Sequence, residues 1–212
     1  MKWIFLALNA AKLGPALWSS LSIFLSIWTY ALFFGWPFAA GFVALIFVHE
    51  LGHYIAARDR GLDVGLPIFL PFVGAWIALK EQPINAETEA YIAYAGPFIG
   101  TLGAFACYYM GKATGDPFWL ALAKSGFVLN LFNMIPVSPL DGGAVLRHFF
   151  RMFLRDRTAF VISVWIGMVA GVLVAIAGLI FRSVFLAFLM AWYVFMNFQQ
   201  WQYFRKNGYP GD

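Results

Sequence analysis

The chain has 212 residues, of which 62% are hydrophobic and 11% charged; a soluble domain carries roughly 25% charged residues, so that class is excluded. Its 24 Phe, 9 Trp and 9 Tyr suit a lipid-facing surface with interfacial aromatic belts, and with a net charge of only +4 no nucleic-acid partner is expected. The single cysteine, Cys107, excludes an intramolecular disulfide and any Cys-rich metal site, and the three histidines leave few candidates for metal ligands.

The first thirteen residues begin with Lys2 and the apolar run Trp3 to Leu8. That run is short for a signal peptide, has no convincing small-x-small cleavage site and leads directly into a longer apolar stretch, so it reads as an interfacial helix. Leu13 to Val48 is 36 uncharged residues, more than the roughly 20 one helix needs to cross the hydrocarbon core. Gly35-Trp36-Pro37 is the natural break, giving spans near 16–35 and 38–57. Ala90 to Gly111 predicts a third span and Pro117 to Arg147 a fourth, interrupted by Pro136 and Pro139. Thr158 to Phe181 and Ser183 to Phe204 predict a fifth and a sixth, separated by Arg182.

Gly61 to Gln82 differs in texture, with Gly65, Pro67, Pro71 and Gly74 set among Val, Ile, Phe and Trp. That mixture favours strands and turns over a helix, with Val73 to Leu79 as a strand. An ordinary cytoplasmic loop is the competing reading. The expected fold class is an all-α polytopic membrane protein in one domain, 1–212. It would have about six transmembrane helices and a small membrane-associated β-hairpin between the second and third.

Basic residues orient the spans. Lys2 and Lys12, then Arg58, Arg60 and Lys80, then Arg147, Arg151, Arg155 and Arg157, then Arg205 and Lys206 fall on one side of a six-span topology. Only Lys112, Asp116, Lys124 and Arg182 lie at the other. The excess of positive charge places both termini in the cytoplasm. Gly96-x-x-x-Gly100 and Gly167-x-x-x-Gly171 permit close helix approach and read as packing within the chain, ahead of a homo-oligomer contact.

Lys12 and Arg58 bracket 45 residues whose only charged or imidazole side chains are His49, Glu50 and His53. Charge at bilayer depth costs at least ~2.5 kcal/mol, so such a cluster points to function. His49-Glu50-Leu51-Gly52-His53 is an H-E-x-x-H sequence. On a helix its two imidazoles share a face and can reach one metal ion, while Glu50 can act as general base towards a water. At 1.5 Å per residue, His49 and His53 lie roughly 13 and 8 Å in from the cytoplasmic end.

A catalytic zinc site takes three protein ligands. Position 59 is Asp, so a third histidine does not follow at the extended-motif spacing. The remaining candidates are Glu81, Glu87, Glu89, Asp141 and His148. The glutamates belong to a hydrophilic loop, and His148, in a basic segment, reads as a solvated or headgroup-level residue. Asp141 ends sixteen uncharged residues, Ser125 to Leu140, at a Pro- and Gly-rich break of the kind where membrane proteins build sites. Its competing reading is a cap on the following helix; beside a motif lacking a third ligand, the ligand reading is preferred.

The H-E-x-x-H in one apolar span, with Asn133-Met-Ile-Pro136-Val-Ser-Pro139-Leu140-Asp141-Gly142 in a later one, resembles the site-2 protease family of intramembrane zinc metalloproteases. Pro71 to Lys80 and Ala95-Gly96-Pro97 resemble that family's middle region, so the likeness runs from about residue 40 to 150. The resemblance implies a catalytic core near 38–150 and one Zn2+ per chain, held by His49, His53 and Asp141, with Glu50 activating the water. It also implies transmembrane-helix protein substrates cleaved within the lipid bilayer of a prokaryotic cell membrane. Asn130 and Asn133 would line the cleft, and a strand edge containing Gly74, Ile77 and Leu79 would hold the unwound substrate. The chain departs from the family in two respects. It is too short for an inserted PDZ domain or an appended CBS pair, and Phe98-Ile99-Gly100 follows Gly96-Pro97 without the Asn that often does. A metal-binding membrane protein without protease activity is the alternative from another class, and Glu50 argues against it because mere binding does not need that residue.

Overall fold

Helices dominate the chain because long apolar stretches alternate with short breaks made by Gly, Pro and charge. The computed structural model describes residues 2–71, 74–76 and 85–208, with the backbone alone at 2–13, 15, 16 and 74–76. In chain order the elements are α1 (Lys2–Phe34), α2 (Trp36–Asp59), β1 (Ile68–Leu70), β2 (Gly74–Trp76) and α3 (Ala86–Thr114). Then follow α4 (Pro117–Asn133), α5 (Asp141–Arg151), α6 (Asp156–Ile180) and α7 (Val184–Asn207). Among the described residues, four helices are long and apolar enough to cross a membrane: α1 over Leu17–Phe34, α2, α3 and α6. Their outward faces carry large apolar side chains such as Trp18, Phe24, Leu102, Leu173 and Leu179, the surface of a protein solvated by lipid.

Several sequence expectations are revised. The residues read as a separate surface helix run on without interruption into α1. The fourth expected span, 117–147, keeps its expected interruption, which falls between the end of α4 at Asn133 and the start of α5 at Asp141. Pro136 and Pro139 lack amide donors, so the backbone between them cannot stay helical. The last helix, α7, has the length of a span, but Asn197, Gln199, Gln200 and Gln202 make its second half too polar for the apolar set.

The chain divides into two compact units, Met1–Gln82 with Phe98–Asn130 and Pro83–Pro97 with Leu131–Asp212. In the first, α1 passes to α2 through Gly35, whose φ of 80° suits a residue without a Cβ, and Pro37 sits in the first turn of α2, where no amide donor is missed. The core here joins Tyr30 of α1, Ala39, Val43 and Ile46 of α2, and Phe69 of β1. The β1–β2 pair is antiparallel, with Phe69 opposite Ala75. It is tied to α1: Ser19 Oγ donates to the Pro67 carbonyl (2.6 Å) and the Phe69 amide donates to Ser22 Oγ (3.0 Å). Strand β2 lies against α2, the helix that carries the H-E-x-x-H. Small residues let the helices of this unit close up; an added Cβ at Gly41 would meet Leu122, and one at Gly126 would meet Ala104 and Leu45.

In the second unit α6 packs on α5 and α7, with one apolar cluster of Val137, Leu140, Met190 and Tyr193 and another of Phe160, Val164 and Met168. The turn between Asn133 and Asp141 is held from α7, where Asn197 Nδ2 donates to the carbonyls of Ser138 (2.6 Å) and Tyr193 (2.7 Å). Gly167 meets the Pro136 carbonyl and Gly171 meets Val194, so this small-residue pair is used within the chain. Arg151 closes the α5–α6 turn with a two-pronged contact to Asp156, Nε to Oδ1 at 2.9 Å and Nη2 to Oδ2 at 3.1 Å.

Candidate metal centre

His49 and His53 stand one turn apart on α2, and their Nε2 atoms are 3.1 Å from each other. Two nitrogens bound to one tetrahedral zinc at 2.0–2.1 Å would be separated by about 3.3 Å, so the pair is spaced for a shared ion. The imidazole rings meet edge to face, with centroids 4.8 Å apart. Glu50 joins them: the ligand atoms of His49, Glu50 and His53 all lie within 4.8 Å of one another. His49 and Glu50 are buried and His53 partly so, on a helix whose opposite side exposes Phe47, Leu51 and Ile55. The donor set therefore fits a metal, and among the described residues no other group of three His, Cys, Asp or Glu does so.

One further contact defines the site. Asn130 of α4, buried at 3% exposure, places Oδ1 2.8 Å from His49 Nδ1, and its Nδ2 donates to the Gly126 carbonyl at 2.7 Å. The family resemblance implies that Asn130 lines the cleft; its hydrogen bond to the first histidine cannot be read from spacing, because 81 residues separate the two.

Asp141 belongs to the second unit, where it is the first residue of α5. The capping position is Leu140, which makes no side-chain cap, so Asp141 does not serve as the N-cap. Its Oδ2 is shielded from solvent, and a carboxylate in the first turn is favoured by the helix dipole. Gly142 and Gly143 pack under the backbone of Met134, Ile135, Val137 and Ser138, which explains why a Gly pair follows the aspartate. Asn133 is the last residue of α4, also in the second unit. Gly74 lies in β2, whereas Ile77 and Leu79 fall outside the described residues.

His148, expected at the solvated surface, is instead 1% exposed, with Nε2 2.7 Å from Glu89 Oε2. Arg147 and Arg151 approach the same carboxylate at 3.9 and 3.6 Å. An imidazole can be buried there because Glu89, in the first turn of α3, supplies an anionic partner. Nothing in the local sequence signals this, since the pair bridges positions 89 and 148.

Comparison with known proteins adds an independent line of evidence. Residues 37–116, which include the H-E-x-x-H helix, match the model of Peptidase family M50. Over that stretch, 80 of its 212 residues, the chain is similar to that family. It is 30% identical over 128 residues to a zinc metalloprotease of Methanocaldococcus jannaschii, a match covering 58% of this chain and 37% of that protein. It is 31% identical over 186 residues to the putative zinc metalloprotease Rip3 of Mycobacterium tuberculosis, covering 76% of this chain and 45% of that protein. The chain thus spans less than half the length of these relatives. Its fold is that of the site-2 protease from Methanocaldococcus jannaschii, with a TM-score of 0.58, 23% identity and coverage of 84% of this chain and 85% of that one.

Proposed function

We propose that this protein is a zinc-dependent intramembrane endopeptidase that hydrolyses peptide bonds within the transmembrane segments of other membrane proteins. The observation that carries the reading is the 3.1 Å approach of His49 Nε2 and His53 Nε2 beside Glu50, on an apolar helix. His49, His53 and Asp141 would hold the ion, and the names of the relatives point to zinc. When bound, zinc supplies Lewis-acid polarisation of the scissile carbonyl. Glu50 takes a proton from the attacking water and passes one to the leaving amine. Its presence in the group favours hydrolysis over metal binding alone.

A substrate helix shields its own peptide bonds, so it must unwind before it is cut. The edge of β2, with Gly74 and the following Ile77 and Leu79, receives the unwound segment by strand addition. In support, β2 pairs with β1 alone among the described residues and lies against α2. Asn133 faces the substrate backbone near the cut. In this reading all six apolar stretches cross the bilayer of a prokaryotic cell membrane, with both termini in the cytoplasm where the basic residues concentrate.

The test is cleavage of a panel of single-span membrane proteins by purified wild type and Glu50→Gln, with the cut sites mapped by mass spectrometry. Cuts inside a transmembrane segment by wild type, with turnover lowered at least about a hundredfold in the variant, are expected. Equal cleavage by the two proteins contradicts the role of Glu50.

A further inference from the structure

We propose that Asn130 is a positioning residue that holds His49 in the tautomer able to bind metal, and that Gly100 exists to make room for it. The inference rests on the reading of His49 as a zinc ligand and extends it to two residues outside the H-E-x-x-H. His49, Gly100, Gly126 and Asn130 all belong to the first compact unit.

Hydrogen-bond chemistry fixes the arrangement. A carboxamide nitrogen only donates and its oxygen only accepts. Because Nδ2 of Asn130 donates to the Gly126 carbonyl at 2.7 Å, the atom turned towards His49 is the acceptor oxygen, 2.8 Å from Nδ1. His49 Nδ1 must then carry the proton. A neutral imidazole protonated at Nδ1 has its lone pair on Nε2, the nitrogen that lies 3.1 Å from His53 Nε2. Reversing the carboxamide would set two acceptors, Asn130 Oδ1 and the Gly126 carbonyl, against each other in a buried position. With His49 and Asn130 each 3% exposed, water is poorly placed to substitute for either bond.

Gly100 supplies the space. It lies within α3 and has an ordinary helical φ, so its glycine is not required by backbone conformation. A Cβ there would overlap Asn130 Oδ1 and stand 2.9 Å from Cγ and 3.0 Å from Nδ2. Any larger residue at 100 therefore pushes the carboxamide off His49.

The experiment measures zinc affinity of the purified full chain by competition with a chelator. It is paired with 15N NMR of the His49 ring in the zinc-free protein, which reports the tautomer without reference to activity. Asn130→Leu, similar in size but without an acceptor, should weaken zinc binding about 10- to 100-fold and abolish the single Nδ1–H tautomer. Asn130→Asp keeps the acceptor and should retain wild-type affinity within a few-fold. Gly100→Ala should weaken zinc as Asn130→Leu does, yet have no further effect once Asn130→Ala has removed the carboxamide. A wild-type tautomer and affinity in Asn130→Leu would overturn the proposal, as would a Gly100→Ala penalty of equal size with and without the Asn130 carboxamide. A wild-type protein that shows the Nδ1–H tautomer but binds no zinc would refute the metal reading and leave the positioning of His49 intact.

Discussion

His148 Nε2 and Glu89 Oε2 lie 2.7 Å apart, joining the start of α3 to the last turns of α5 within the second unit. Seven residues, about two helical turns, separate His148 from Asp141, so the pair anchors the far end of the short helix that begins with the proposed third ligand. Glu89→Ala removes the anion facing a buried imidazole and should lower stability by about 1–3 kcal/mol. Arg147→Ala removes a more exposed, longer contact and should cost about 0–1 kcal/mol. Thermal unfolding in detergent compares the two; equal effects would show that the His148–Glu89 contact does not hold α5.

Gly142 directly follows Asp141, and a Cβ on it would collide with the carbonyl groups of Met134 and Ile135. Backbone gives way less readily than a flexible side chain. Gly142→Ala should destabilise the protein by about 1–3 kcal/mol and, by moving Asp141, reduce zinc per chain. Metal analysis of the purified variant checks the second effect. Full zinc content with wild-type stability would mean that the turn from 134 to 140 is looser than its packing implies.

Phe69 fastens the strand pair to the first unit. It is 2% exposed, stacks on Phe47 of the H-E-x-x-H helix at 6.4 Å between ring centroids, and packs with Tyr30 and Ile46. Phe69→Ala should cost about 3–5 kcal/mol and lower substrate cleavage more than zinc binding, because the proposed ligands are untouched while β2 loses its support. Parallel assays of zinc and cleavage separate these outcomes; loss of zinc in proportion to cleavage would place the strand pair's role in holding α2 instead.

The sequence was most informative where chemistry and helical period coincide. His49, Glu50 and His53 could be grouped from their spacing alone, since an α-helix puts positions i and i+4 on one face. The break at Gly35-Trp36-Pro37 was legible for a similar reason: Gly and Pro have backbone requirements that hold in any surroundings. Contacts between distant segments were not legible. His148 looked solvated because its neighbours are basic, and only the folded chain brings Glu89 to it. The hydrogen bond from His49 to Asn130 and the glycine beneath it at 100 depend on how three helices meet. The interruption of the 117–147 stretch is legible from Pro136 and Pro139, whereas the residues at which α4 ends and α5 begins are not.

The most direct test of the central claim is zinc per chain in wild type, His49→Ala, His53→Ala, Asp141→Ala and Glu50→Gln, each purified in detergent and checked for helical content. About one zinc is expected in wild type and in Glu50→Gln, and loss of zinc in the other three at the same free-metal concentration. Wild-type zinc content in Asp141→Ala would remove that residue from the site. Absence of zinc from a folded, zinc-supplemented wild-type protein would contradict a metal centre at His49 and His53.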